Sequence, residues 1–88
     1  MDWNIFAWLK RGKRRIDILK ILGETTVPLS KNEISKKLKI ALPQVSLVIN
    51  ELVKKNLVEC LNPQDKIGKL FRLASLGKEC FELLSRKL

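Results

Sequence analysis

The 88-residue sequence predicts a mostly α fold with one small β-hairpin, an α+β class contained in a single domain. Helical periodicity runs along most of the chain, in stretches bounded by capping and breaking residues. One pair of short apolar-alternating runs, LVECL and KLFRLA, interrupts it around a loop holding Pro63, Lys66, Gly68 and Lys69. A hydrophobic content of 45% is enough for one modest core and argues against disorder.

Taken in order, KRGKRRIDILKIL from Lys10 to Leu22 reads as a first helix with Ile18, Leu19 and Leu22 on its inner face. Ile16 and Ile21 lie at the margins of that face, and Gly23 marks the end. Ser30 and Glu33 then form an S-x-x-E capping box, in which each side chain satisfies an orphan backbone N–H. Leu29 and Ile34 are placed for the accompanying hydrophobic staple, so a short second helix spans Lys31 to Lys39. A third follows after a few residues, at about 42–55, with Pro43 in its first turn. Val45, Val48, Ile49, Leu52 and Val53 form its buried stripe. The opposite stripe is Pro43, Leu47, Asn50 and Lys54, flanked by Gln44 and Glu51. Lys54 and Lys55 suit the negative end of the helix dipole, and Asn56 suits a left-handed terminus. The hairpin occupies about 57–74; its loop is too long for a two-residue turn and is expected to protrude and move. Ser75 is expected to cap the last helix, SLGKECFELLSRKL, whose inner face is Leu76, Cys80, Leu83 and Leu84 with Phe81 nearby.

Charge and cysteine content narrow the function classes. Lys and Arg outnumber Asp and Glu by 18 to 9, giving a net charge of +9 and favouring a polyanionic partner. There is no histidine, and Cys60 and Cys80 make no C-x-x-C pair. The zinc constellations and the Ser–His and Cys–His nucleophile pairs are therefore missing, so no enzyme, metal, cofactor or small-molecule ligand is expected. Thiols in apolar runs read as reduced core filler, which suits the cytoplasm. No apolar run is long enough to span a membrane, and MDWNIFAWL lacks the basic start and cleavage site of a signal peptide.

A short capped helix followed closely by an amphipathic one is a helix-turn-helix, whose second helix fits the DNA major groove. A hairpin directly after that helix makes it a winged helix-turn-helix, with the hairpin as wing. Candidate base-reading residues are then Pro43, Gln44, Ser46, Leu47 and Asn50. Candidate phosphate contacts are Arg14, Arg15, Lys31, Lys36, Lys54, Lys66, Lys69 and Arg72. Simpler readings stand beside these: KRGKRR as a solvated basic stretch, Leu47 as a packing residue, Asp65 and Lys66 as turn formers. Gln and Asn pair bidentately with adenine and Leu47 suits a thymine methyl, so an A·T-rich site is expected.

RRIDILKIL, SKNEISKKLKI, QVSLVINELVKKNLVECLNP and GKLFRLASLGKECFELL, in that order, resemble the ArsR-like winged-helix regulators of archaea. The likeness runs from Lys10 to about Leu84. It implies DNA-binding transcriptional control, usually as a homodimer, with the outer face of Leu42 to Asn50 on bases and the wing on the backbone. Leu47 and Val48 follow Ser46 where relatives carry Arg, Lys or His, and Asn56 stands where glycine is common. The Cys and His clusters of metal-sensing relatives are missing.

Residues 1–9 form an apolar segment apart from the 10–88 domain. Trp3, Ile5, Phe6, Trp8 and Leu9 are too apolar to leave in water. The segment can extend the first helix over its own core, pack against a second subunit, or lie on an anionic membrane. Dimerisation through Trp3, Phe6, Trp8, Phe81 and Leu84 is the reading adopted, because two-fold partners read two half-sites. Two rivals remain. A winged helix on RNA needs unpaired bases stacked on aromatics, which the recognition face lacks. A protein-interaction module would use the N-terminal aromatics instead.

Overall fold

The computed structural model describes residues 2–86. Its element order is α1 (Trp3–Lys10), α2 (Lys13–Glu24), α3 (Lys31–Leu38), α4 (Leu42–Lys54), β1 (Val58–Cys60), β2 (Phe71–Leu73) and α5 (Ser75–Ser85). Met1, Lys87 and Leu88, which the sequence assigns to the N-terminal segment and the last helix, lie outside the described residues.

Apolar periodicity sets the core. Ile18, Leu19 and Leu22 of α2, Ile34 of α3, and Val45, Val48, Ile49 and Leu52 of α4 are all buried, as their spacing predicts. Leu57, Val58, Phe71 and Leu73 close the core from the hairpin side, and Cys80 does so from α5. Each fully buried Leu, Ile or Phe contributes roughly 1.5–3 kcal/mol relative to exposure.

The N-terminal segment is neither an extension of the first helix nor separate from the core. Asp2 caps α1 by accepting from the backbone N–H of Asn4 and Ile5. The helix ends at Lys10, and Gly12 starts α2 afresh in an extended conformation. Leu9 is completely buried, so α1 covers the core of its own chain. Gly23 does not stop α2, which runs one residue further to Glu24; the hollow over Gly23 holds the Phe81 ring.

The capping box forms as expected. Ser30 Oγ accepts from Glu33 N–H at 3.1 Å, and Glu33 Oε1 accepts from Ser30 N–H at 2.9 Å. The turn between α3 and α4 is closed by Lys39 in the left-handed region (φ 57) and by Ser35, whose hydroxyl donates to the Ile40 carbonyl. Asn56 takes the left-handed conformation after α4 (φ 62). Ser75, in contrast, is not the cap of the last helix. Ala74 holds that position without a side-chain bond, and Ser75 is the first helical residue.

The hairpin is antiparallel, pairing Val58 with Leu73, Glu59 with Arg72 and Cys60 with Phe71. A third short segment, absent from the sequence reading, joins it. Leu29 and Phe71 exchange both backbone hydrogen bonds at 3.0 and 2.8 Å, which ties the start of the helix-turn-helix to the wing. Gly77 lets α5 approach the start of β1, since a methyl group there would collide with the Leu57 carbonyl.

Candidate nucleic-acid interface

The turn between α3 and α4 sets the outward face of α4. With Val45, Val48, Ile49 and Leu52 buried, Pro43, Gln44, Leu47 and Asn50 point to solvent, and Ser46 is half-buried at the edge. Leu47 is 60% exposed, so it does not pack on the neighbouring helix. Lys54 is exposed one turn beyond Asn50. An α-helix with a free face of this kind has the dimensions of the major groove.

Beside that face lies an open cleft of about 420 Å³ between α4 and the wing. Ser30, Lys31 and Asn32 line one side, Leu42 and Ser46 the next, and Lys66, Ile67, Gly68 and Lys69 of the wing the third, with Phe71 at its base. The structure thus brings three of the expected phosphate-contacting lysines, Lys31, Lys66 and Lys69, to one cleft with Ser46. Glu33, at the edge of this region, has its carboxyl held below the usual range. The cause is first the backbone N–H of Ser30 and then its hydroxyl, with a smaller push from Lys37 and Lys36.

The wing tip is organised rather than loose. Asn62 Oδ1 accepts from Leu70 N–H at 2.8 Å, while Nδ2 donates to the Gly68 carbonyl at 3.1 Å and to Asp65 at 2.9 Å. Gly68 sits at φ 73, where a glycine is favoured. Ile67, which the sequence reading passed over, is 90% exposed at the extremity between the two lysines. Its signal was an apolar residue inside a polar loop; the Asn62 pin is a contact across eight residues that local propensity does not encode.

Several expected contacts have other partners. Arg15 does not face outward: its guanidinium lies 3.9 Å over the Trp8 ring, donates to the Trp8 carbonyl at 2.7 Å and stands 3.7 Å from Glu51. It joins α1, α2 and α4, because a planar cation stacks on an indole better than a hydrated ammonium does. Lys31 reaches across to α4, its Nζ donating to Ser46 Oγ at 2.9 Å. Arg72 bonds its cross-strand neighbour Glu59 at 2.6 Å; with both side chains about half exposed, such a pair contributes at most ~1 kcal/mol. Arg14 pairs loosely with Asp17 at 3.9 Å and stays half-exposed, and Lys36 is exposed on α3.

Of the candidate dimerisation residues, Trp3 alone is largely exposed, at 63%, edge-on to Phe6 with 5.9 Å between ring centroids. Trp8 is held within the chain between Arg15 and Lys55, Phe81 covers Gly23, and Leu84 packs half-buried against the core. Among the described residues no helix is long and apolar enough to cross a membrane, and no group of His, Cys, Asp and Glu is gathered that could hold a metal ion.

This architecture is similar to that of solved transcriptional regulators. A MarR/EmrR family transcriptional regulator from Acinetobacter sp. ADP1 superposes with a TM-score of 0.73 at 25% identity, over 84% of this chain and 52% of the regulator. HlyU from Vibrio cholerae N16961 gives 0.72 at 24% identity, over 96% of this chain and 94% of its own. Streptococcus pneumoniae FabT, solved in complex with DNA, gives 0.64 at 24% identity, over 81% and 48%. The chain spans about half the length of the first and last of these. No family model and no curated protein matches the sequence. The shared architecture, helices plus a two-stranded wing, is the winged helix-turn-helix.

Proposed function

We propose that this protein is a winged helix-turn-helix transcriptional regulator that binds double-stranded DNA with sequence preference and contains no catalytic site. One observation carries the reading: α4 turns Pro43, Gln44, Leu47 and Asn50 to solvent, and the cleft along one edge of that helix, at Leu42 and Ser46, is flanked by the wing-tip Lys66 and Lys69, which suits a helix in the major groove and a wing on the adjacent backbone. Similarity to regulators, one of them solved with DNA, supports the same assignment. The order of the sequence motifs supports the finer affiliation with ArsR-like archaeal regulators, acting in the cytoplasm.

Gln44, Ser46, Leu47 and Asn50, opened by Pro43, read base edges. Lys36, Lys54, Lys66, Lys69, Arg14 and, by exchange of Glu59 for phosphate, Arg72 supply the phosphate contacts. The active form is a homodimer, with Trp3 and Phe6 of α1 at the contact and α5 contributing Leu84. An RNA-binding use is less well served: Phe71 in the cleft is only 4% exposed, and Trp3 does not line it.

Salt titration of the Lys66→Ala, Lys69→Ala double variant tests the wing. Removing two phosphate contacts is expected to make log affinity against log salt shallower by about 1.8. An unchanged slope would remove the wing from the interface.

A further inference from the structure

We propose that Lys31, which lies outside the recognition helix, is a base-reading residue of this site and gives it a guanine preference; the proposal rests on the DNA-binding reading above. As the first residue of α3, Lys31 would ordinarily be assigned to solvent or phosphate. Its position is poor for helix stability, because the first turn is the positive end of the dipole, where a cation is disfavoured. The side chain does not leave for solvent even so. Its Nζ stands 2.9 Å from Ser46 Oγ, 3.4 Å from Asn50 Oδ1 and 5.6 Å from the centroid of the Phe71 ring. Phe71 is itself fixed by the paired backbone bonds to Leu29. Partners on α4 and β2 therefore hold the ammonium beside two residues one helical turn apart on the base-reading surface.

An ammonium held there meets whatever base edge Ser46 and Asn50 meet. Guanine presents two acceptors, O6 and N7, in the major groove, and lysine is one of the side chains that reads them. Adenine places an amino donor beside N7 and repels the same charge. While Oδ1 is turned to Lys31, Asn50 keeps Nδ2 as a donor, which also suits guanine O6 or thymine O4 better than a bidentate pair with adenine. The recognition helix contributes no cation of its own before Lys54, so its sequence points to A·T alone; the fold brings the missing donor from fifteen residues upstream.

The test is selection of duplex sites from a random library by the wild type, Lys31→Met and Lys31→Gln. Binding is then titrated on the wild-type consensus with 7-deazaguanine, which lacks the N7 acceptor, at each conserved guanine. The wild type is expected to select an A·T-rich site with a conserved G·C pair for each recognition helix, and to lose about 5–10-fold in affinity on the modified duplex. Both variants are expected to select the same A·T positions without that guanine and to ignore the modification. Neither removes a helix-stabilising charge, so both should retain the wild-type far-ultraviolet circular dichroism. A consensus without a conserved guanine, or a guanine preference that both variants keep, would overturn the proposal. So would equal weakening on every sequence with a salt slope shallower by about 0.9, the behaviour of a phosphate contact. Failure of the wild type to bind any duplex is a different result, and removes the DNA-binding reading itself.

Discussion

Lys39 ends α3 at φ 57, a conformation that disfavours every side chain except those of Asn and Asp. Glycine removes that steric cost and adds some unfolded-state entropy, so Lys39→Gly is expected to stabilise the fold by roughly 0.5–1 kcal/mol. Urea denaturation checks this. Asn56, at φ 62, already carries a residue suited to the region, which is why its role was legible in the sequence and that of Lys39 was not. Glycines 23 and 77 are both fixed by close approach. An added methyl at Gly77 meets the backbone carbonyl of Leu57, and at Gly23 it meets the Phe81 ring down to Cγ, which rotation of the ring does not clear. Gly77→Ala and Gly23→Ala should therefore each cost about 1–3 kcal/mol, read from the same denaturation curves. Arg15 shows where residue-level reading stops. Nothing local distinguishes it from Arg14, and only the meeting of α1 with α4 places Trp8 and Glu51 around it.

Two elements beside the α4 face, α3 and the wing, owe their stability to separate origins. The α3 helix depends on its capping box. Glu33 has a folded pKa lowered chiefly by the hydrogen bond from the Ser30 backbone. A lowered carboxylate contributes stability that is complete above the unfolded pKa and lost as pH falls through the folded value. Glu33→Gln keeps an acceptor but cannot titrate, so the variant's stability should fall less steeply with pH below the ordinary carboxylate range; urea midpoints across that range measure it. The wing depends on Asn62. With Leu70 N–H, Gly68 and Asp65 all bonded to one amide, Asn62→Ala should release the tip, speed amide exchange at Leu70, and weaken duplex binding. Unchanged exchange would mean the tip is held by its backbone alone. The capping box was readable because its partners are three residues apart. The Leu29–Phe71 pairing was not, because a single bridge across forty-two positions leaves no periodic pattern. Ser75 misled for a related reason: a helix-favouring cap residue one place from the boundary looks like the cap itself.

At the scale of the molecule, the fold class was legible because long amphipathic stretches and one hairpin leave few arrangements of a single core. The outward face of α4 followed from the same periodicity. Contacts between elements did not: Lys31 with Ser46, Arg15 with Trp8, and the cleft that gathers the wing lysines beside α4 depend on packing. A net charge of +9 supports attraction to any polyanion, whereas the shape of the α4 face and wing supports duplex DNA in particular. The proposed homodimer belongs to the same scale. Removing exposed Trp3 and its half-buried edge partner with Trp3→Ser and Phe6→Ser should shift sedimentation from dimer to monomer and weaken DNA binding together, because one helix per site cannot hold two half-sites.

Fluorescence-anisotropy titration of the unmodified protein tests duplex recognition most directly. The ligands are a labelled A·T-rich duplex, a G·C-rich duplex and a single-stranded RNA, each at low salt and near 150 mM, about physiological ionic strength. Duplex binding that weakens with salt yet persists near physiological strength, differs between the two duplexes and exceeds RNA binding is the expected result. Equal affinity for all three that vanishes at the higher salt would contradict it, leaving a general basic surface in place of a DNA-reading site.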